Sequence, residues 1–231
     1  MHEKFIQAIH ELPEWGNWVK ATRTGDTAIG KTFEDLMGIV ENNSPEADFH
    51  GVEIKTKRAT SDSLLTLFTA RPCWPLKASR GIVERFGYIR EDEPDEPCVK
   101  RFYQTLYSNK NNGSNLNIIP SNDGVNLECD GEPIAIWNTE RLYKISNRKL
   151  SALGFVLADT RKIHGYEEFL FREATLLWNF SYDKFIQAII DGKVSIDFRV
   201  KIHENRLRDH GTAFRIMKEH LSLLYENVLQ L

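Results

Sequence analysis

Apolar positions along the chain follow two rhythms, one helical and one alternating. The hexamer KFIQAI occurs at 4–9 and again at 184–189, with Phe, Ile and Ile at helical spacing. Each copy predicts a short amphipathic helix. One shared hexamer so far apart does not make a repeat architecture. A further helix is expected from about Thr32 to Val40, followed by the turn-rich NNSPEAD. ADFHGVEIKTK (47–57) alternates polar and apolar around Gly51, which predicts a strand, a turn or bulge, and a second strand. LLTLFT (64–69) and GFVLAD (154–159) are buried-strand candidates, and EDEPDEP (91–97) reads as an acidic, proline-broken, solvated connection. CVKRFYQTLYS, NKNNGSN, LNIIP and VNLECDGEPIAIW predict two hairpins, turning at Asn112-Gly113 and Asp130-Gly131. TERLYKISNRKL (139–150) reads as a helix capped by Thr139, SYDKFIQAIIDGK as a helix closed by Gly192, and VSIDFRV (194–200) as a strand. The chain then passes through RDHGTAFR into an expected amphipathic helix from about Met217 to Gln230. No stretch is rich enough in Pro, Gly or Ser to be a linker. The expected architecture is one α/β domain, a mixed β-sheet flanked by helices.

Composition narrows this picture. With 41% apolar and 27% charged residues among 231, a packed globular core is expected. The formal net charge is −3, so any contact with nucleic acid must come from a local basic face. Cys73, Cys98 and Cys129 are scattered, odd in number and without a C-x-x-C pair. They read as reduced thiols rather than a disulfide set or a zinc site. The N-terminal MHEKFIQAIHEL is no signal peptide, and the longest apolar run, ALGFVLA (152–158), is too short to span a bilayer. A soluble, cytoplasmic protein is the expectation.

Residues 25–32, GDTAIGKT, fit the P-loop pattern G-x-x-x-x-G-K-[ST] without a mismatch. That reading makes Lys31 a phosphate ligand and Thr32 a magnesium ligand. A P-loop follows a buried parallel strand, normally a run of Val, Ile and Leu. EWGNWVKATRT, which precedes it here, is a poor candidate for one. FVLAD, ending at Asp159, could supply the second acidic strand. The same residues also suit a capping box, with Thr32 as N-cap, Asp35 as its partner, and Gly25 and Gly30 as loop residues ahead of a helix.

A second constellation is Asp48, Glu53 and Lys55. Residues two apart on a strand share a face, so Glu53 and Lys55 project together while Val52 and Ile54 face the core. Asp48 lies across the His50-Gly51 turn and is placed to join them. Two carboxylates offer hard oxygen ligands to Mg²⁺, and an ammonium beside them stabilises charge on a phosphate. The plain alternative is the solvated face of an amphipathic strand, with Glu53 and Lys55 as an ordinary ion pair. Glu34 on the preceding helix extends the acidic set. The basic run KTKR, with Lys57 and Arg58, follows at once, as a grip on a phosphate backbone requires.

Residues 197–215, DFRVKIHENRLRDHGTAFR, carry five Lys or Arg against three Asp or Glu, together with His203 and His210. Arginine pairs bidentately with guanine or phosphate. Arg199, Arg206, Arg208, Asp209, His210 and Arg215 are therefore candidate DNA contacts, and a solvated, salt-bridged loop is the alternative. A histidine-metal nuclease using Asp209, His210 and His220 lacks the Asn that such sites place between their histidines. No Ser-His-Asp or H-E-x-x-H arrangement is visible.

Three stretches, in this order, resemble the MvaI/BcnI restriction endonucleases, relatives of the mismatch-repair nickase MutH in the PD-(D/E)xK superfamily. They are GDTAIGKTFEDLMGIVEN (25–42), ADFHGVEIKTKR with SLLTLFT (47–69), and VSIDFRV with RDHGTAFRI (194–216). Residues 85–150 match loosely. The resemblance implies a type II restriction endonuclease that cuts double-stranded DNA with Mg²⁺, leaving 5′-phosphate and 3′-hydroxyl ends. It implies that Asp48 and Glu53 are metal ligands, Lys55 is catalytic and Glu34 completes the acidic cluster. It further implies that His210, Arg208 and Asp209 read the target, with Lys31 as a backbone contact. Family members act as monomers on short, nearly palindromic, GC-rich sites, and a cognate DNA methyltransferase is the expected companion. Ala47 stands where the motif's name has Pro. Implied too is one nuclease domain over 1–231, with a catalytic part of roughly 1–90 plus 150–180 and a recognition part including 190–216 as lobes around a DNA cleft. The competing readings are a MutH-like nickase dependent on a partner, a P-loop NTPase, and a DNA-binding module without catalysis.

Overall fold

The computed structural model describes residues 2–39, 47–91, 98–113 and 115–231. Val40, most of NNSPEAD and all but the first residue of EDEPDEP lie outside them. The described chain forms two compact units, Met1–Ser63 with Asn147–Ser181 and Leu224–Leu231, and Leu64–Ser146 with Tyr182–Leu223.

The first unit is built on one sheet. Its strands are β1 (Trp18–Lys20), β2 (Glu53–Arg58), β9 (Ala152–Ile163), β10 (Tyr166–Phe180) and β14 (Tyr225–Gln230), in the order β1-β10-β9-β2 with β14 also on β10. β2 and β9 run parallel and the other pairs antiparallel, so the sheet is mixed. Helices α1 (His2–His10) and α2 (Ala28–Leu36) contribute Phe5, Ile9, Ile29 and Phe33 to a core shared with Val52, Ile54, Val156, Phe169 and Phe171. Phe5 lies so close to the sheet that a Cβ on Gly154 would stand 2.5 Å from its ring. β10 is the longest strand and has no simple alternating signature. A β-bulge between Phe171 and Glu173 moves the inward positions from 169 and 171 to 174 and 176.

The second unit holds two sheets. One contains β3 (Leu65–Thr69), β4 (Tyr88–Ile89), β5 (Lys100–Leu106), β11 (Val194–His203), β12 (Arg206–Asp209) and β13 (Ala213–Ile216). The other is the meander β6 (Leu116–Ser121), β7 (Gly124–Cys129), β8 (Glu132–Asn138). Helices α3 (Ala78–Phe86) and α5 (Tyr182–Ile190) belong to this unit, and α4 (Thr139–Leu150) carries the chain back to the first. Phe68, Phe185, Phe198, Phe214 and Trp137 make the aromatic centre.

Four local expectations need correction. The segment after Met217 is a 3-10 helix (Lys218–Leu224) and then β14, because pairing with β10 supplies hydrogen bonds that outweigh its helical spacing. β5 pairs with β4 and β11 rather than folding back onto β6. The first hairpin of that region is β6–β7, and only the Asp130-Gly131 turn joins a predicted pair. The cap of α4 is Asn138, whose Oδ1 accepts from the Arg141 amide at 3.0 Å, while the Thr139 hydroxyl donates to the Asn122 carbonyl.

Candidate active site and DNA interface

The glycine-rich stretch does not form a phosphate cradle. α2 already begins at Ala28, so Gly30, Lys31 and Thr32 lie inside a helix rather than in the loop before it. β1 is a three-residue strand that pairs antiparallel with β10. The Thr32 hydroxyl is buried and accepts from the Thr22 amide at 3.1 Å. It caps nothing, and the flanking residue at the start of α2 is Thr27. Gly30 faces the Thr56 hydroxyl of β2, where a Cβ would make an ordinary contact at 3.5 Å, so α2 packs on β2 through this face. Lys31 pairs with Asp35 at 2.7 Å, one helical turn away.

The carboxylate site follows from one tight turn. Phe49 and Val52 exchange backbone hydrogen bonds of 3.0 and 2.8 Å around His50 and Gly51, whose φ values are 47° and 83°. Both lie in the left-handed region that such a two-residue hairpin turn demands, which explains the glycine. With 49 opposite 52, Asp48 stands opposite Glu53 on the same face. Asp48 Oδ2 accepts from the Ile54 amide at 2.9 Å, while Val52 and Ile54 point into the core.

Glu53 is 4% exposed yet ionisable, and buried charge has to be paired. Lys55 Nζ donates to Glu53 Oε1 at 2.6 Å, and Lys149 Nζ, from the last turn of α4, donates to Oε2 at 3.1 Å. Lys149 has no signal in the sequence. It lies 96 residues from Glu53 and reaches it only through the fold. Tyr225 is buried near this carboxylate. Burial first, and the Glu53 charge second, push its phenol well above the ordinary tyrosine value, so it stays neutral.

Glu34 is half-buried, one turn beyond Gly30 on the helix face that meets β2. Among the described residues no three Asp, Glu, His or Cys side chains form a metal-binding group. Asp48 is turned onto a backbone amide and Glu53 onto two ammonium groups. Lys57 and Arg58 also differ from expectation. Lys57 is buried and donates to the Ser63 carbonyl and hydroxyl, so it holds a turn instead of facing solvent. Arg58 is committed to a forked ion pair with Glu167 at 2.9 and 3.0 Å.

In the second unit, 197–209 is a β-ribbon rather than a loop. β11 turns into β12 through Glu204 and Asn205, both with positive φ. Lys201 pairs with Arg208, and His203 with Arg206, while Lys201 also pairs with Arg101 of β5. Alternation therefore places Arg199, Lys201, His203, Arg206 and Arg208 on one face. Arg101, Lys201 and Arg208 lie in one cross-strand row, with Arg101 buried and Arg208 exposed. Arg206, Arg208 and His210 are exposed. Asp197, on the same face of β11 but buried, accepts from Thr105 at 2.7 Å and from Arg215 at 2.9 Å, and pairs with Arg199 at 3.2 Å. Asp209 faces the other way, with Leu207.

The family model described as the MvaI/BcnI restriction endonuclease family matches residues 6–225. A structure of the restriction endonuclease MvaI with its cognate DNA substrate superposes with a TM-score of 0.84 at 26% identity, covering 99% of this chain and 97% of that one. The same enzyme without DNA gives a TM-score of 0.60 at 29% identity, over 97% and 94% of the two chains. No curated protein matches the sequence significantly. The class defined here is the type II site-specific deoxyribonuclease. Within that class, the chain belongs to the MvaI/BcnI restriction endonuclease family.

Proposed function

We propose that this endonuclease uses Mg²⁺ and Asp48, Glu53, Lys55 and Lys149 to cut both strands of a short, GC-rich, nearly palindromic site. It works as a cytoplasmic monomer beside a cognate DNA methyltransferase. The observation that carries the proposal is the turn at His50-Gly51, which sets Asp48 opposite Glu53 with two ammonium groups on the latter. This donor set fits a hard divalent cation. Asp48 is exposed and engages one carboxylate oxygen with a backbone amide, leaving the other for a ligand.

When bound by Asp48 and Glu53, Mg²⁺ would supply an acidified water and positive charge at the phosphate. The chain's own residues do the rest. Glu53 accepts a hydrogen bond from each of Lys55 and Lys149, which keeps both side chains aimed. Their ammonium groups stabilise negative charge gathering on the scissile phosphate. Glu34 takes a supporting acidic role from α2. The first unit is assigned catalysis and the second recognition. In the latter, Arg199, Arg206, Arg208, His210 and Arg215 are proposed DNA contacts, and Lys31 a further one in the first.

The test is digestion of plasmid DNA by the purified protein, with Mg²⁺ or with EDTA, followed by sequencing of the ends. Discrete linear fragments are expected with Mg²⁺ and none with EDTA. Lys55→Ala should slow cutting about 10²- to 10³-fold, the usual loss when one charge-stabilising donor is removed. Cutting by Lys55→Ala at the wild-type rate would overturn the site assignment, and nicked circles alone would favour a partner-dependent nickase.

A further inference from the structure

We infer that Arg71 is a guanine-reading side chain, and that Asp209 serves to aim it. The inference rests on the proposed reading of the second unit as the DNA-recognition part and names a residue that reading does not contain.

Asp209 has the wrong geometry for a base contact. Its side chain is 3% exposed and lies on the inner face of β12, away from Arg206 and Arg208. Its oxygens are already engaged. Oδ1 accepts from the Gly211 amide at 2.8 Å, and Oδ2 from the Ser79 hydroxyl at 3.1 Å. The remaining partner is Arg71, whose Nε lies 3.2 Å from Oδ2 and whose side chain is 65% exposed. A buried carboxylate thus forms an ion pair with an exposed guanidinium on its inner-nitrogen side. The ion pair engages the Nε side, so the two outer nitrogens remain for a bidentate contact, and a restrained fork is what the O6 and N7 acceptors of guanine require.

The backbone around Arg71 is also restrained. Ala70, just before it, donates to the Thr212 carbonyl at 2.9 Å. Pro72, just after it, restricts Arg71 to extended conformations. Arg80 of α3 donates to the Asn205 carbonyl at 2.7 Å and to its side chain at 3.1 Å, which ties the helix after this loop to the turn of the basic ribbon. Arg71 borders a cavity of about 340 Å³ that also draws on Lys77, Arg141, Leu207 and Asp209. Three cations and one buried carboxylate line it, so an electronegative base edge is favoured there. A phosphate contact would not need this arrangement, since a mobile surface lysine meets a phosphate as well. Burying a carboxylate to fix an arginine is useful only where orientation matters.

The experiment is cleavage of a random-sequence duplex library by the wild type, Arg71→Ala and Arg71→Lys, with the cut sites read by sequencing. The wild type should yield a consensus that contains guanine. In both variants, preference for guanine at one position of the site should fall about 5- to 150-fold, the discrimination one bidentate contact provides. The other positions should keep theirs. Asp209→Asn should relax the same position, and adding it to Arg71→Ala should relax that position no further, because the two act as one unit. An unchanged cut-site profile in Arg71→Ala would overturn the inference. So would a loss spread evenly over all sequences with a salt slope smaller by about one, which marks a phosphate contact. If the wild type itself does not cut, the endonuclease reading fails, a result distinct from either of these.

Discussion

Each unit buries a carboxylate beneath a pair of cations, but the cations differ. In the first, Glu53 is held by Lys55 and Lys149. In the second, Asp197 is held by Arg199 and Arg215. Lysine is a compact point charge on a flexible stem, and its protons rotate to meet whatever lies in front of it. Arginine is a rigid planar fork whose direction is fixed once one edge is bound. A phosphate whose charge shifts during reaction suits the first kind of cation, and a base edge with fixed acceptors suits the second. The comparison therefore separates chemistry from reading by cation type, and it is open to direct attack.

The largest effect is expected at Glu53. Glu53→Gln keeps the shape but removes the charge between the lysines and weakens a proposed metal ligand. Cleavage should fall about a thousandfold or more, in line with several kcal/mol of lost charge stabilisation. Sequence preference in a binding assay with Ca²⁺ should be unchanged. If specificity shifted together with rate, the separation of roles would fail.

Next comes Asp197→Ala. It leaves Arg215, which is only 22% exposed, without its carboxylate. Stripping one partner from a buried pair costs about 3–5 kcal/mol, a melting temperature lower by roughly 6–20 °C in a chain of this size. Lys149→Met should cost less stability, about 1 kcal/mol, because Lys55 still neutralises Glu53. Its cleavage rate should nevertheless drop 10- to 100-fold, roughly one lost electrostatic contact. Equal melting losses in the two variants would break the comparison.

How far these sites can be read from sequence depends on the distance over which they are assembled. Glu53 and Lys55 share a face by strand alternation, and Asp48 joins them through a two-residue turn, so all three are legible within eleven residues. Lys149 and Arg71 act on carboxylates far along the chain, and nothing local marks them. The basic character of 197–215 is plain in composition, but its two faces are not. Only the β11–β12 register separates the exposed Arg206 and Arg208 from the inward Asp209. The same limit explains the fold. The apolar run of β9 marks it as a buried strand, whereas its parallel pairing with β2, the bulge in β10 and the strand at the C-terminus are set by tertiary pairing.

A third carboxylate–ammonium pair supplies the reference for burial. Lys31 and Asp35 also meet at 2.7 Å, but there the carboxylate is 35% exposed rather than buried. The hydrogen bond from Lys31, and then that from Thr22, hold the Asp35 carboxyl below its ordinary value. A depressed acid contributes stability above its unfolded-state titration and loses it as pH falls through the folded-state one. Asp35→Asn should therefore lower the melting temperature slightly at neutral pH. The expected cost is about 0.3–0.5 kcal/mol, as for solvent-screened pairs one turn apart on a helix. That difference should shrink with added salt, start to fade as pH falls through the ordinary aspartate range, and vanish only below the depressed folded-state titration, where the wild-type carboxyl is also protonated. A salt-independent loss as large as that of Asp197→Ala would show that proximity, not burial, gives these pairs their strength, and the contrast between the two buried sites would lose its footing.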